Sequence, residues 1–248
     1  MRVPARSSVL SLVVKYLNNM SLLIDSYQKV ADEARMKRAV LIAVSKTKPV
    51  ADIEALYNMG HRDFGENYVQ ELSEKQTLLP SNIHWHFIGH LQTNKVKYIA
   101  PFVHMIHGVE SHKLLREIDK QGARNGRKIK CLLQLHVSRE ETKFGLDELE
   151  IDALLQEISN SDDLEFVSIC GVMAMASFST DQELLRSEFK TVKQMFDFVK
   201  EKYFYHDDQF SVISMGMSSD YQLALEEGSN MIRVGSLIFG ERDPKQTV

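Results

Sequence analysis

The chain has 248 residues, 44% hydrophobic and 26% charged, with a formal net charge of −4 and a pI near 6.1. That is enough apolar content for a sizeable core, in one large α/β domain or two small ones. The slightly acidic balance carries no basic footprint for nucleic acid or an anionic membrane, and no stretch approaches the ~20 apolar residues that span a bilayer.

Residues 1–19 hold Arg2, Arg6 and Lys15, with no acid before Asp25. The apolar run from Ser8 to Val14 is short, Lys15 interrupts it, and no A-x-A site follows, which argues against a signal peptide. Met20 lies just before the first convincing helix. The segment therefore reads as a dispensable extension, or as a start placed too early. Residues 20–248 are expected to form one domain of a cytoplasmic protein.

From there, strand-like and helix-like segments alternate. Leu23, Tyr27, Val30 and Ala34 follow helical spacing. Val40–Val44 is a run of apolar residues, the pattern of a parallel strand buried on both faces. Pro49 opens a helix near Val50–Met59. Strand two is Asp63-Phe64-Gly65, followed by a helix from Tyr68 towards Lys75. Strand three is His84–Ile88, with a helix around Asn94–Ile99, and strand four is Val103–Ile106, with a helix from Lys113 to Ala123. Ile129 to Val137 is the strongest strand, and Ile151, Leu155 and Ile158 mark its helix. Phe166–Met173 is the sixth strand, and Leu185, Phe189, Val192, Phe196 and Val199 stripe the next helix. Phe210–Ser214, a helix through Leu223 to Glu227, and Met231–Val234 complete the series. Cys131 and Cys170 fall inside strands and read as buried thiols more readily than as a redox pair.

Strands that each precede a helix, with no Gly/Ser-rich linker between them, predict a (β/α)8 TIM barrel. An open doubly wound sheet competes, but no G-x-G-x-x-G follows the first strand. In a barrel, functional residues sit at the C-terminal ends of strands, and phosphate sites follow strands seven and eight. Lys46 closes the first strand. A partly buried lysine there has its ammonium disfavoured, and a neutral amine forms Schiff bases. A plain surface lysine is the bland alternative, and Lys48 lies beside it. After strand seven, Ser214-Met215-Gly216-Met217-Ser218-Ser219-Asp220 offers hydroxyl and N–H donors at a helix start, although Ser218 or Ser219 as an ordinary N-cap has the same appearance. Gly235 and Ser236 after strand eight repeat that donor chemistry with no obvious need for a cap. An amine on the first strand and an anion site after the last point to one phosphorylated aldehyde between them, pyridoxal 5'-phosphate.

Arg233 shares a strand face with Gly235. A barrel-lining arginine requires a partner, either a carboxylate or, more sharply, a pyridine nitrogen that the guanidinium keeps unprotonated. His84 and His86 face one side of a strand, which permits a metal pair, but no carboxylate or cysteine completes a recognised spacing. Packing and hydrogen bonds near the barrel mouth are the roles expected for them and for His90, and no metal is expected. Glu66 and Asn67 end strand two and are placed at the same mouth, with Asn67 alternatively the cap of the next helix. In Thr142-Lys143-Phe144-Gly145, Lys143 either draws anions to the mouth or is solvated.

AVSKTKP, FGENYVQE, WHFIGHLQTNK, ETKFG, SMGMSSDY and RVGSLIFGER occur in that order over about residues 20–242. Together they closely resemble the pyridoxal-phosphate homeostasis protein family, the single-domain relatives of the alanine racemase barrel (fold type III of pyridoxal-phosphate proteins). The resemblance implies that Lys46 holds the cofactor as an internal aldimine. It implies phosphate contacts from Ser218, Gly235 and Ser236, and an Arg233 that faces the pyridine nitrogen. Asn67 is carried as a further cofactor-binding residue, and no residue is assigned as catalytic.

Alanine racemases have a second, β-rich domain that supplies a catalytic tyrosine, whereas this chain ends a few residues after its eighth strand. Two-sided proton transfer at Cα requires a second base. The expectation is therefore a binding protein that sequesters or delivers pyridoxal phosphate, a monomer or weak dimer with apo-enzymes that require the cofactor as partners. The alternatives are an amino-acid racemase or decarboxylase of narrow specificity and, ranked lower, a metal-dependent barrel enzyme using the histidines.

Overall fold

The computed structural model describes residues 22–137, 144–161 and 164–241. In chain order it contains α1 (Ile24–Met36), β1 (Val40–Val44), α2 (Val50–Asn58), β2 (Asp63–Glu66), α3 (Val69–Leu78) and β3 (His84–Phe87). A 3-10 turn over Thr93–Lys95 leads into α4 (Val96–Ile99), followed by β4 (Met105–Val109), α5 (His112–Arg124), β5 (Ile129–Leu135) and α6 (Glu148–Ser161). The last elements are β6 (Val167–Ala174), α7 (Gln182–Tyr203), β7 (Val212–Ser214), α8 (Tyr221–Glu226), β8 (Met231–Val234) and α9 (Ser236–Phe239).

All eight strands are parallel and pair in sequence order, and β8 closes on β1 to complete the barrel. The closing register is Val40↔Met231 through Ala43↔Val234. Alternation along the strands sorts side chains to two sides. Leu41, Ala43, Phe64, Trp85, Ile106, Leu133 and Val172 join the large core between barrel and helices. Ile42, Met105, Leu132, Cys170, Met173 and Met231 fill the barrel's own interior. Both cysteines are buried thiols.

Helix α7 buries Leu185, Phe189, Val192 and Val199, as its spacing predicts; Met195 joins them, and Phe196 is only partly covered, stacked on Phe210. Asp181 caps the helix, its side chain accepting from the Glu183 and Leu184 N–H groups.

Strand four differs from the sequence reading. It runs from Met105 to Val109, not from Val103 to Ile106, and has a bulge between Ile106 and Val109. His107-Gly108 looks like a turn, yet His107 is fully buried because the barrel interior provides partners for both ring nitrogens. Val103 instead packs into the core before the strand begins. A second bulge lies in β6, where Leu132 pairs with Gly171 after Cys131 pairs with Ile169. Gly171 has φ +150°, and a Cβ there would lie 1.9 Å from the Val212 carbonyl oxygen. The extra residue resets the alternation, so that Cys170 and Met173 both face inward.

Gly171→Ala therefore has to move β7 away from β6 while adopting a backbone conformation that L-residues avoid. It should destabilise the protein by at least about 3 kcal/mol, read as a lowered midpoint in urea unfolding. A loss below about 1 kcal/mol would show that the two strands can separate cheaply.

Candidate functional site

The turn after β1 carries the amine. Lys48 N–H bonds back to the Ser45 carbonyl, and Thr47 sits in the left-handed region at φ +64°. A threonine held there needs support, which a buried polar clamp supplies. Thr47 N–H donates to Glu71 Oε1 at 2.6 Å. Lys75, from α3, donates to the same Glu71 oxygen (2.6 Å), to Glu66 Oε1 (2.8 Å) and to the Ser45 carbonyl (2.8 Å). The Ser45 hydroxyl donates to Glu66 Oε1 at 2.6 Å. With the backbone fixed on both sides, the half-buried Lys46 side chain enters the barrel mouth. Lys48 takes another course, its Nζ donating to the carbonyls of Phe239, Gly240 and Glu241.

Glu66 thus belongs to the clamp behind the strand and not to the mouth, where the sequence placed it. Its neighbour Asn67 does line the mouth. The N-cap of α3 is Tyr68, so Asn67 is not the cap, and its buried Oδ1 has no hydrogen-bond partner among the described residues.

The other wall comes from the last two strands. Gly216, at φ +96°, turns the chain after β7; a Cβ there would fall 2.6 Å from that of Ala224. Asp220 closes the turn by accepting from Met217 N–H at 2.6 Å and stands as the N-cap position of α8. Neither Ser218 nor Ser219 is that cap. Instead the Ser218 hydroxyl accepts from Gly235 N–H at 3.2 Å, which ties the two turns together. After β8 the structure adds a helical turn, α9, that the sequence did not reveal, with Gly235 at its N-cap. The first-turn N–H groups of a helix have no intrahelical acceptor, and Ser236 and Leu237, in that turn, line the mouth.

Arg233 is buried, 5% exposed, and its bonds go to neutral groups. One terminal nitrogen donates to the Ser214 carbonyl (2.9 Å) and hydroxyl (2.7 Å), and the other to the Ala174 carbonyl (2.9 Å). Burial pushes its pKa down to about 10, with Asp220 opposing, so it stays a cation at neutral pH. These bonds leave further guanidinium N–H groups for the cavity it lines.

Lys46, Asn67, Ser218, Arg233, Gly235 and Ser236 all line one cavity of about 500 Å³, within the range of small-molecule sites. Val44, Ile88, Met175 and Leu237 give it apolar walls. The donor set fits a phosphorylated pyridine aldehyde: an amine, two N–H turns, a cation with hydrogens to spare, and an orphaned amide oxygen.

The histidines lie elsewhere. His84 and His86 both bond Asp63 Oδ1, at 3.0 and 3.2 Å, towards the N-terminal ends of the strands, and not at the mouth as expected. His90 stacks on Phe144 and faces Glu110. Among the described residues no group of three His, Cys, Asp or Glu is arranged to hold a metal. Thr142 and Lys143 lie outside the described residues. Sequence reasoning missed Glu71, Lys75 and His107, which reach the site only through three-dimensional packing.

The alanine racemase N-terminal domain model matches residues 19–243. The Aquifex aeolicus pyridoxal phosphate homeostasis protein is 34% identical over 226 residues, covering 90% of this chain and 96% of that protein. The human protein of the same name is 40% identical over 214 residues, covering 82% and 76%. PipY of Synechococcus elongatus, solved with pyridoxal phosphate bound, superposes with a TM-score of 0.74 at 34% identity, over 82% of this chain and 93% of that one. Alanine racemase of Clostridium difficile, at 15% identity and a TM-score of 0.66, shares the fold. The barrel is thus of the alanine racemase N-terminal type. More narrowly, the chain belongs to the pyridoxal phosphate homeostasis protein family.

Burial, opposed by Lys75 and reinforced by Glu71, raises the Glu66 pKa from the ordinary 4.5 to about 7. A raised folded-state value contributes stability that is present below 4.5 and lost as pH rises through about 7. Glu66→Gln keeps the acceptor and never ionises. Its melting temperature should gain on the wild type between pH 4.5 and 8, and a parallel pH dependence in the two proteins would refute this assignment.

Proposed function

We propose that the protein binds pyridoxal 5'-phosphate in the barrel mouth and serves cofactor homeostasis, holding and releasing the cofactor without turning over a substrate. The observation that carries this reading is the convergence of a strand-end amine, two N–H turns and a buried arginine on one cavity. When bound, the cofactor supplies an electrophilic aldehyde and an electron-accepting ring.

Lys46, at the end of β1 and lining the cavity, is the residue that would hold the aldehyde, while Lys48 Nζ donates to the carbonyls of Phe239, Gly240 and Glu241. The turns at Ser218 and at Gly235-Ser236 would bind the phosphate through N–H and hydroxyl donors. Arg233 would donate to the pyridine nitrogen. A cationic donor keeps that nitrogen unprotonated, which makes the ring a weak electron sink. Asn67 borders the same space, with an oxygen to accept a hydrogen bond.

The absence of turnover rests on the cavity lining. Among the described residues it contains no carboxylate, histidine, tyrosine or cysteine, and its second amine, Lys48, donates to three backbone carbonyls. Proton removal on one face and delivery on the other require two such groups. The names of the relatives support a homeostasis role. The reading extends to apo-enzymes as recipients and to a cytoplasmic monomer or weak dimer.

Borohydride reduction of the loaded protein should leave a single adduct at Lys46, lost in Lys46→Ala while the circular dichroism spectrum is retained. An adduct at Lys48 or Lys143 would remove Lys46 from this role. Pyridoxal without its phosphate should bind at least about a hundredfold more weakly, because charge-assisted hydrogen bonds contribute about 1.5–3 kcal/mol each; equal affinities would dispose of the anion site. Amino acids incubated with the loaded protein in deuterated water should exchange their Cα proton no faster than with the cofactor alone. Exchange well above that background would make the protein an enzyme.

A further inference from the structure

Arg233 is the end of a hydrogen-bonded chain that crosses the barrel interior. Its guanidinium donates to Ser214 Oγ at 2.7 Å. Ser214 Oγ lies 3.4 Å from His107 Nδ1, His107 Nε2 lies 2.9 Å from His86 Nδ1, and His86 Nε2 lies 3.2 Å from Asp63 Oδ1. The chain thus draws on β8, β7, β4, β3 and β2, with Ser214, His107, His86 and Arg233 all buried. Its far end is wet: the Asp63 and His84 side chains are 27% and 47% exposed.

With both rings neutral, the carboxylate end determines every proton position along the array. A guanidinium only donates, so Ser214 Oγ accepts from it and keeps its own hydrogen for a neighbour that accepts. The Asp63 carboxylate, held down to about 2 by its bonds to His86 and His84 against the opposing effect of burial, only accepts. His86 therefore carries its proton on Nε2 and accepts on Nδ1 from His107 Nε2–H, which leaves His107 Nδ1 as the acceptor that Ser214 requires. Both rings are neutral, and burial lowers both of their pKa values. His84 and Lys130 around His86, and His86, Arg233 and His104 around His107, disfavour imidazolium, with Asp63 the opposing charge on His86. Nothing in the family reading above uses this array.

We propose that Asp63, His86, His107 and Ser214 form a positioning relay for Arg233, in which the carboxylate at the barrel's far end sets the tautomer of each ring and thereby the orientation of the Ser214 hydroxyl. That orientation holds the guanidinium so that its remaining N–H groups meet the ring nitrogen of the cofactor. The relay rests on the cofactor reading given above and extends it to residues that touch neither cofactor nor cavity. It also makes Asp63, four hydrogen bonds from the guanidinium, a determinant of how the ring nitrogen is recognised.

The test compares pyridoxal phosphate with its 1-deaza analogue, in which a C–H replaces the ring nitrogen, on the full-length protein. The ratio of the two affinities isolates the contact at the nitrogen, because general damage to the site weakens both ligands alike. Asp63→Asn offers a donor as readily as an acceptor and so releases the tautomers. It should lower the ratio by about fivefold, less than the full loss of one charge-assisted hydrogen bond, while the borohydride adduct at Lys46 persists. Ser214→Ala removes the last link with a minimal change of volume and should lower the ratio at least as much; it decides the matter if Asp63→Asn does not fold. An unchanged ratio in Ser214→Ala, or in a folded Asp63→Asn, overturns the relay and leaves the cofactor reading standing. A wild type that takes up neither ligand would remove the cofactor reading, and the relay with it. One that binds both equally would remove the contact at the nitrogen and likewise end the relay.

Discussion

A single charge governs much of this barrel. The Arg233 guanidinium lies in an interior otherwise closed by Ile42, Met105, Leu132 and Met231, where an unpaired ion is costly. Among the described residues no carboxylate bonds it directly; two backbone carbonyls and a hydroxyl do. Neutral acceptors leave the cation with residual demand, and the mouth is where that demand can be met. The same constraint explains why polar side chains occupy strand positions that aliphatic residues would otherwise fill: Ser214 accepts from the arginine, and the imidazoles beyond it are buried and hydrogen-bonded in turn.

The barrel mouth has two kinds of wall. The Lys46 side is held from outside the sheet, where the buried Lys75 binds Glu66, Glu71 and the Ser45 carbonyl. The anion side is held by turns that bond to each other, with Gly235 N–H on Ser218 and Arg233 N–H on the Gly216 carbonyl. The β1–β8 register joins the two sides by setting Arg233 beside Ile42, so that the amine beyond β1 and the turn beyond β8 emerge as neighbours. A preorganised site of this kind binds its ligand with little ordering left to do.

Much of this was legible in the chain. Val40–Val44 and Met231–Val234 have the same bounds in sequence and structure, the first because a parallel strand leaves a continuous apolar run. Once eight such segments imply a barrel, the rule that chemistry sits at strand C-termini selects Lys46, Ser218, Gly235 and Ser236, and all of them reach the cavity. What escaped reading depends on pairing. A lysine in the last turn of a helix looks solvated until Glu66 and Glu71 close over it, as at Lys75. A His-Gly pair looks like a turn until a bulge draws it into a strand, as at His107. Helix α9 is too short for periodicity to announce it, and Glu66 reads as a mouth residue until the strand's pleat turns it outward.

Lys48 binds the carbonyls at the end of α9 across a sequence separation of 191 residues. Contacts that span so much of a chain form late in folding, since the entropy of closing the intervening loop must be overcome before they contribute. During synthesis, β1 and its lysines leave the ribosome long before the turns that face them exist. An emerging chain therefore has the amine without the pocket, which is complete only when the last strand docks. From that moment ligand binding stabilises only the closed barrel, so that the cellular supply of ligand is read by finished molecules and not by partly made ones.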